Sequence, residues 1–369
     1  MIYLDHNATA PIRPEVIDEM SCVMKRGGNP SSVHSVGRHA KSVLEKSRRT
    51  IAQMVNCRPQ KIIFTGGGTE ANNLALNVKN LDHIIISAAE HDSVGQIQQN
   101  FKGRVDILPV DKHGLVKPEK LRDALAQATK NTLVSIMLAN NETGVIQDIR
   151  SLARISHEAG ALFHTDAIQA LGKIPIDFRA LEVDMMSLSA HKLGGPQGVG
   201  TLIAQEKILL VPLAYGGGQE GGRRAGTENL AGIAGFSKAV SFIPQNIQAM
   251  KTCEKIRNRI EQEIGKYAPQ ACFYGGAVDR LPNTSTILMP GVSSETQVMA
   301  FDLEGLCVSS GSACSSGKVK PSHVVTAMGG GQDQALSTIR VSLGPETTQQ
   351  DADAFIRAWK KLYDRKRMS

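Results

Sequence analysis

The chain has 369 residues, of which 41% are hydrophobic and 21% charged, so it is long enough for about two domains of ordinary globular composition. No apolar run approaches the roughly 20 residues of a membrane span, and residues 1–6 offer neither a charged n-region nor an apolar h-region, so neither a membrane anchor nor a secretory leader is expected. The net charge of +7 comes from Lys and Arg spread along the chain, with only Arg365-Lys366-Arg367 forming a run; this argues against direct nucleic-acid binding and for a solvated surface suited to an acidic protein partner or an anionic ligand.

In chain order, residues 61–64 read as a strand, followed by a Gly turn and a helix over 70–78. Residues 83–86, 105–110, 132–138, 161–165, 185–188 and 201–204 are further apolar strands. Helical patterns at 93–100, 118–128 and 149–159 fall between them. This alternation predicts an α/β domain with a mainly parallel sheet of seven strands and helices on both faces. After Ile243 the pattern changes to a long amphipathic helix over 247–265, shorter strands, and a last helix over 349–363. The expected division is a large domain over 15–245 and a smaller α+β domain made from 1–14 and 246–369.

Several strand ends carry chemistry-bearing residues. Thr65-Gly66-Gly67-Gly68-Thr69-Glu70 joins a strand to a helix. Its glycines allow close backbone approach and its helix start offers free N–H groups, so it reads as a phosphate cradle or as a plain tight turn. It has neither the nucleotide P-loop nor the dinucleotide signature. Asp166 ends a strand in Phe163-His164-Thr165-Asp166, where ligands of open α/β sheets bind. It suits the protonated ring nitrogen of a pyridine-type cofactor, with Gln169 one turn on, or equally a helix N-cap.

Ser189-Ala190-His191-Lys192 runs into Gly194-Gly195-Pro196. A lysine there, beside a basic neighbour, can form a Schiff base, while Ser189 and His191 suit a phosphate; the alternative is a surface lysine entering a turn. His91, after another strand, suits stacking on a flat ring, or is a lone histidine with no such role. Asn141 lies in Asn140-Asn141-Glu142-Thr143-Gly144, and Thr227 in a Gly- and Arg-rich stretch. Arg340, within a short strand, can grip a carboxylate bidentately or form a structural ion pair.

The six cysteines include no C-x-x-C pair, which argues against a zinc ribbon or a disulfide scaffold and fits a reducing cytoplasm. No metal site is expected. Cys314 stands out, within Ser309-Ser310-Gly311-Ser312-Ala313-Cys314-Ser315-Ser316-Gly317. So many small residues predict a mobile, solvent-reachable loop. Lys318, Lys320 and His323 nearby favour the thiolate, so Cys314 reads as an untidy surface thiol or as a nucleophile that must travel to its target.

Together, and in this order, these segments resemble the cysteine desulfurases, from Tyr3-Leu4-Asp5-His6-Asn7-Ala8-Thr9 to Arg340. The most specific pieces are Gly68-Thr69-Glu70-Ala71-Asn72-Asn73, Asn140–Gly144, Ser189–Lys192 and Ser309–Ser316. The resemblance implies a pyridoxal 5'-phosphate enzyme of fold type I that turns L-cysteine into L-alanine. It makes Lys192 the Schiff-base lysine, Asp166 the partner of the ring nitrogen, His91 the stacking histidine and Gln169 the contact of the ring hydroxyl. Thr69, Ser189 and His191 match phosphate ligands, and Thr227 matches one supplied across a homodimer. Asn141 and Arg340 match the substrate-carboxylate positions. Cys314 matches the sulfur-accepting nucleophile of the class with the longer loop, which hands sulfur to an acceptor protein such as an iron–sulfur scaffold. An aminotransferase or selenocysteine lyase of the same fold is the competing reading. Longer relatives carry a C-terminal extension that helps dock the scaffold; this chain ends at Ser369, so the resemblance does not carry that route over.

Overall fold

The computed structural model describes residues 1–311 and 320–368. Seven strands make the large sheet: β1 (Ile62–Thr65), β2 (His83–Ser87), β3 (Arg104–Leu108), β4 (Thr132–Ser135), β5 (Leu162–Asp166), β6 (Met185–Ser189) and β7 (Gly200–Ala204). Their order across the sheet is β1-β7-β6-β5-β4-β2-β3. Every ladder is parallel except the two that β7 makes, with β1 and with β6. All residues of β1, β2, β4, β6 and β7 are buried, as expected of strands covered on both faces, and this is why they read as continuous apolar runs.

One core cluster includes Phe64, Ile85, Val134, Phe163 and Met186 with Leu152 and Phe236; a second includes Ile63, Ile84, Leu133 and Leu202 with Leu74. The helices Pro14–Arg26 and Ser35–Met54 both pack on Leu230–Val240. Gly235 permits the first contact, because a Cβ there would stand 2.7 Å from Met20 Cγ.

The rest of the chain builds a four-stranded antiparallel sheet: β8 (Cys272–Tyr274), β9 (Thr284–Leu288), β10 (Ser309–Ser310) and β11 (Thr338–Ser342), in the order β10-β11-β9-β8. A separate core here gathers Leu4, Ile256, Ile260, Phe301, Phe355 and Trp359. Ile2–Tyr3 pairs in parallel with Leu306–Cys307, and Asp5 bridges to Ser342. The chain start is therefore fastened to the small sheet before residues 7 and 8 pass over the large one.

The large sheet has the seven strands expected, with shifted ends. The strand expected over 132–138 leaves the ladder after Ser135. The helix expected over 93–100 splits into Asp92–Gly95 and a 3-10 turn, Gln96–Gln99.

Candidate active site

Residues just beyond the carboxyl ends of β2, β4, β5 and β6 meet Arg340 of β11 and the N-terminal segment around one cavity of about 370 Å³. Its wall includes Thr69, His91, Asn141, Asp166, Gln169, Ser189, His191, Lys192 and Arg340. These are nine of the eleven residues singled out in the sequence. Thr227 is exposed and is not on the cavity wall of its own chain. Cys314 lies outside the described residues, but Gly311, the last described residue before it, lines the cavity.

Lys192 sits in the 3-10 turn Ala190–Lys192, one turn past the end of β6. Its Nζ donates to the carbonyls of Asn7 and Ala8, both at 2.7 Å. Burial, reinforced by the charge of Arg340 and opposed by Asp5 and Asp166, lowers its pKa from the usual lysine range to about 8. Asp166 ends β5 almost wholly buried. Its Oδ1 accepts from the Ile168 N–H at 2.9 Å and its Oδ2 from Asn72 Nδ2 at 2.7 Å. Burial raises its carboxyl pKa, opposed by these donors and by the Lys192 charge. A cationic ring N–H in the cavity would add to that second group.

Gly68 begins the helix Gly68–Ala75. A Cβ at this position would collide with Ile168, which also lines the cavity, and would reach 3.4 Å from Ser189 Cβ. The glycine thus brings the positive helix start up to Ser189, which is how backbone N–H groups come to face an anion. His191 stands nearby with Nδ1 3.3 Å from Thr9 Oγ1; burial first, and then Lys192, lower its pKa to about 4.

At the opposite side Arg340 donates through Nη2 to Asp5 at 2.7 Å and through Nη1 to the Asn141 carbonyl at 3.0 Å. The ion-pair reading of Arg340 is the one seen here, in a side chain that also lines the cavity. Among the described residues, three cavity-lining groups keep a buried polar atom without a partner: Ser189 Oγ, Asn141 Oδ1 and Arg340 Nε. Buried polar groups are ordinarily satisfied, so this set fits a polar ligand. A hydroxyl beside a helix start, a buried acid and a lysine with a lowered pKa suit the phosphate, the ring nitrogen and the aldehyde of pyridoxal phosphate.

Sequence reasoning passed over several supporting residues. Asn7 accepts from Lys192 and from Gln169 Nε2 at its carbonyl, and from Lys173 Nζ at Oδ1. Glu142 accepts from Ser322 Oγ at 2.5 Å. A Cβ on Gly311 would strike the same carboxylate, so both borders of the undescribed segment converge on Glu142. The signal was present, since Asp5, Asn7 and Glu142 all lie in the motifs that carried the resemblance.

The family model described as "Aminotransferase class-V" matches residues 2–355. A curated relative, the cysteine desulfurase IscS of Dictyoglomus turgidum, is 39% identical over 99% of this chain and 95% of its own. The solved NifS-like protein of Rickettsia africae superposes with a TM-score of 0.92 at 40% identity, covering 99% of both chains. The structure of SspA in complex with cysteine gives a TM-score of 0.80 at 30% identity, over 94% of this chain and 100% of that one. The chain belongs to the class-V aminotransferase family, among its pyridoxal-phosphate-dependent cysteine desulfurases.

Proposed function

We propose that this chain takes sulfur from L-cysteine, releases L-alanine and carries the sulfur as a persulfide on Cys314. The observation that carries the reading is the meeting of Lys192, Asp166 and Arg340 on a cavity whose wall includes Gly311. Cys314 follows three residues later, so covalent geometry keeps its Cα within about 11 Å of that glycine. A relative of similar fold solved with cysteine supports the choice of substrate.

Bound here, pyridoxal phosphate supplies an aldehyde carbon for the substrate amine and a protonated ring that withdraws electrons from the α-carbon. Lys192 would be its covalent anchor. Thr69, Ser189 and His191 would take the phosphate with the start of the Gly68–Ala75 helix, and Asp166 would keep the ring nitrogen protonated. His91 would stack on the ring, and the spare amide hydrogen of Gln169 would serve the ring hydroxyl. Arg340 and Asn141 hold the substrate carboxylate, which supplies the partner that Arg340 Nε lacks. Lys192 takes the substrate α-proton at Nζ; a lysine near pKa 8 can give and take protons at neutral pH. The Cys314 thiolate then attacks the substrate sulfur. An S–S bond forms, the C–S bond breaks, and its electron pair goes to the β-carbon, which gains a proton to become the methyl group of alanine.

The enzyme acts as a homodimer. Thr227, exposed and away from its own cavity, reaches the phosphate of the second subunit; nearby Arg224 already binds Glu70 at 2.9 Å beside the cradle. The persulfide sulfur passes to an acceptor protein, such as an iron–sulfur scaffold. The five described cysteines are all free thiols, which suits a reducing cytoplasm, and no helix among the described residues is long and apolar enough to cross a membrane. The test is Cys314→Ala: alanine formation from cysteine is lost while the bound cofactor keeps its visible absorbance. Undiminished alanine formation would mean that Cys314 takes no part, as in an aminotransferase.

A further inference from the structure

We infer that Asn72 and Ser93 are positioning residues that fix His91 with its proton on Nε2, so that the ring meets the substrate as a hydrogen-bond donor and leaves proton abstraction to Lys192. The inference rests on the placing of His91 at the cofactor site. It follows from a chain of four side chains whose donor directions are forced one after another.

Asp166 Oδ2 lies 2.7 Å from the Asn72 amide. A carboxylate oxygen accepts and does not donate, so Asn72 must turn its Nδ2 toward it. The second hydrogen of that nitrogen goes to Ser93 Oγ at 2.8 Å. With its oxygen accepting, Ser93 has its own hydroxyl hydrogen free for His91 Nδ1, also at 2.8 Å. The backbone N–H of Ser93 points at the same Nδ1 from 3.0 Å, as His91 caps the helix Asp92–Gly95. Two donors on one ring nitrogen require its lone pair, so the proton of the neutral imidazole sits on Nε2. Asn72 is fully buried and does not line the cavity. It acts only through its neighbours, linking the Asp166 carboxylate through Ser93 to the His91 ring.

The consequence is a division of labour. Nε2, without a protein partner among the described residues, offers N–H to the substrate sulfur or carboxylate. Lys192 is left as the base. Were Ser93 absent, Nδ1 would lose one of its two donors, and the other tautomer, with an accepting Nε2, would become populated.

The test uses the holoenzyme labelled with ¹⁵N-histidine, with the His91 signals assigned by their loss in His91→Gln. The wild type should show a pyrrole-like Nε2 and a pyridine-like Nδ1. Ser93→Ala should move both signals toward their mean, as a shift of about fivefold in the tautomer ratio for one lost hydrogen bond; kcat/KM should fall in proportion to the Nε2-protonated fraction read from those signals, with cofactor loading unchanged. Ser93→Thr should restore both readings. Asn72→Leu, where it folds, should repeat the change without touching His91 directly. A wild-type His91 protonated on Nδ1, or a Ser93→Ala spectrum identical to wild type, would overturn the inference. Failure of the wild type to form a persulfide would instead remove the functional reading and leave the tautomer result standing.

Discussion

Burial and the Arg340 guanidinium bring Lys192 to about 8, and the sign of the effect is testable. The nucleophilic form of the amine is neutral; about one-tenth is neutral at pH 7 and half at pH 8. Uptake of pyridoxal phosphate by the apoprotein, followed by visible absorbance, should therefore accelerate about fivefold from pH 7 to 8 and level off above 9. A limb near 10.5 would mean an ordinary exposed lysine. Arg340→Gln should raise KM for cysteine by about 10- to 100-fold, the range for one charge-assisted hydrogen-bond pair, with a smaller change in kcat. At this scale the sequence was most legible for side chains at strand ends, because a strand end announces itself and its direction decides where ligands bind. It was blind to Asn7 as the clamp on Lys192, since the two stand 185 residues apart. Only the fold brings them within hydrogen-bond distance.

Mostly apolar runs made the seven sheet strands readable. What the runs could not show was direction: β7 lies antiparallel between β1 and β6, and an apolar strand reads alike either way. Lys192 was expected at a strand end but occupies the turn after it, which frees its side chain from the pleat and lets it reach Asn7 and Ala8. The helices Pro14–Arg26 and Ser35–Met54 went unread, since the buried stripe of the longer one is built largely from small and polar residues (Gly37, Ala40, Ser47, Arg48, Ala52), which hides its helical period; both pack on Leu230–Val240. The Gly68–Ala75 helix makes its own prediction. Gly68→Ala would push Ile168 from its present position at the cavity wall, at a cost of about 1–3 kcal/mol. The dissociation constant of the cofactor, measured by equilibrium dialysis, should rise at least tenfold; unchanged affinity would show that the helix start does not hold the phosphate.

Over the whole molecule, the chain start joins the two regions. Leu4 is buried in the core of the small sheet, while Asp5 holds Arg340 and Asn7 holds Lys192. Leu4→Ala should therefore cost about 2–5 kcal/mol in denaturant unfolding and also loosen the cofactor, whereas a remote core truncation of equal cost should leave affinity unchanged. Composition gave no hint of this linkage, because it joins residues 2–7 to residues 306–342. Likewise Cys314 was conspicuous from its Gly- and Ser-rich surroundings alone, yet its purpose came from the lysine, acid and arginine assembled elsewhere. The central claim is that sulfur moves from free cysteine to that one thiol. Mass spectrometry of the protein after L-cysteine, with alanine quantified alongside, tests it most directly. The account predicts one added sulfur on the peptide containing Cys314 for each first-turnover alanine. Alanine released with no sulfur on that peptide, or sulfur carried on another cysteine, would contradict it.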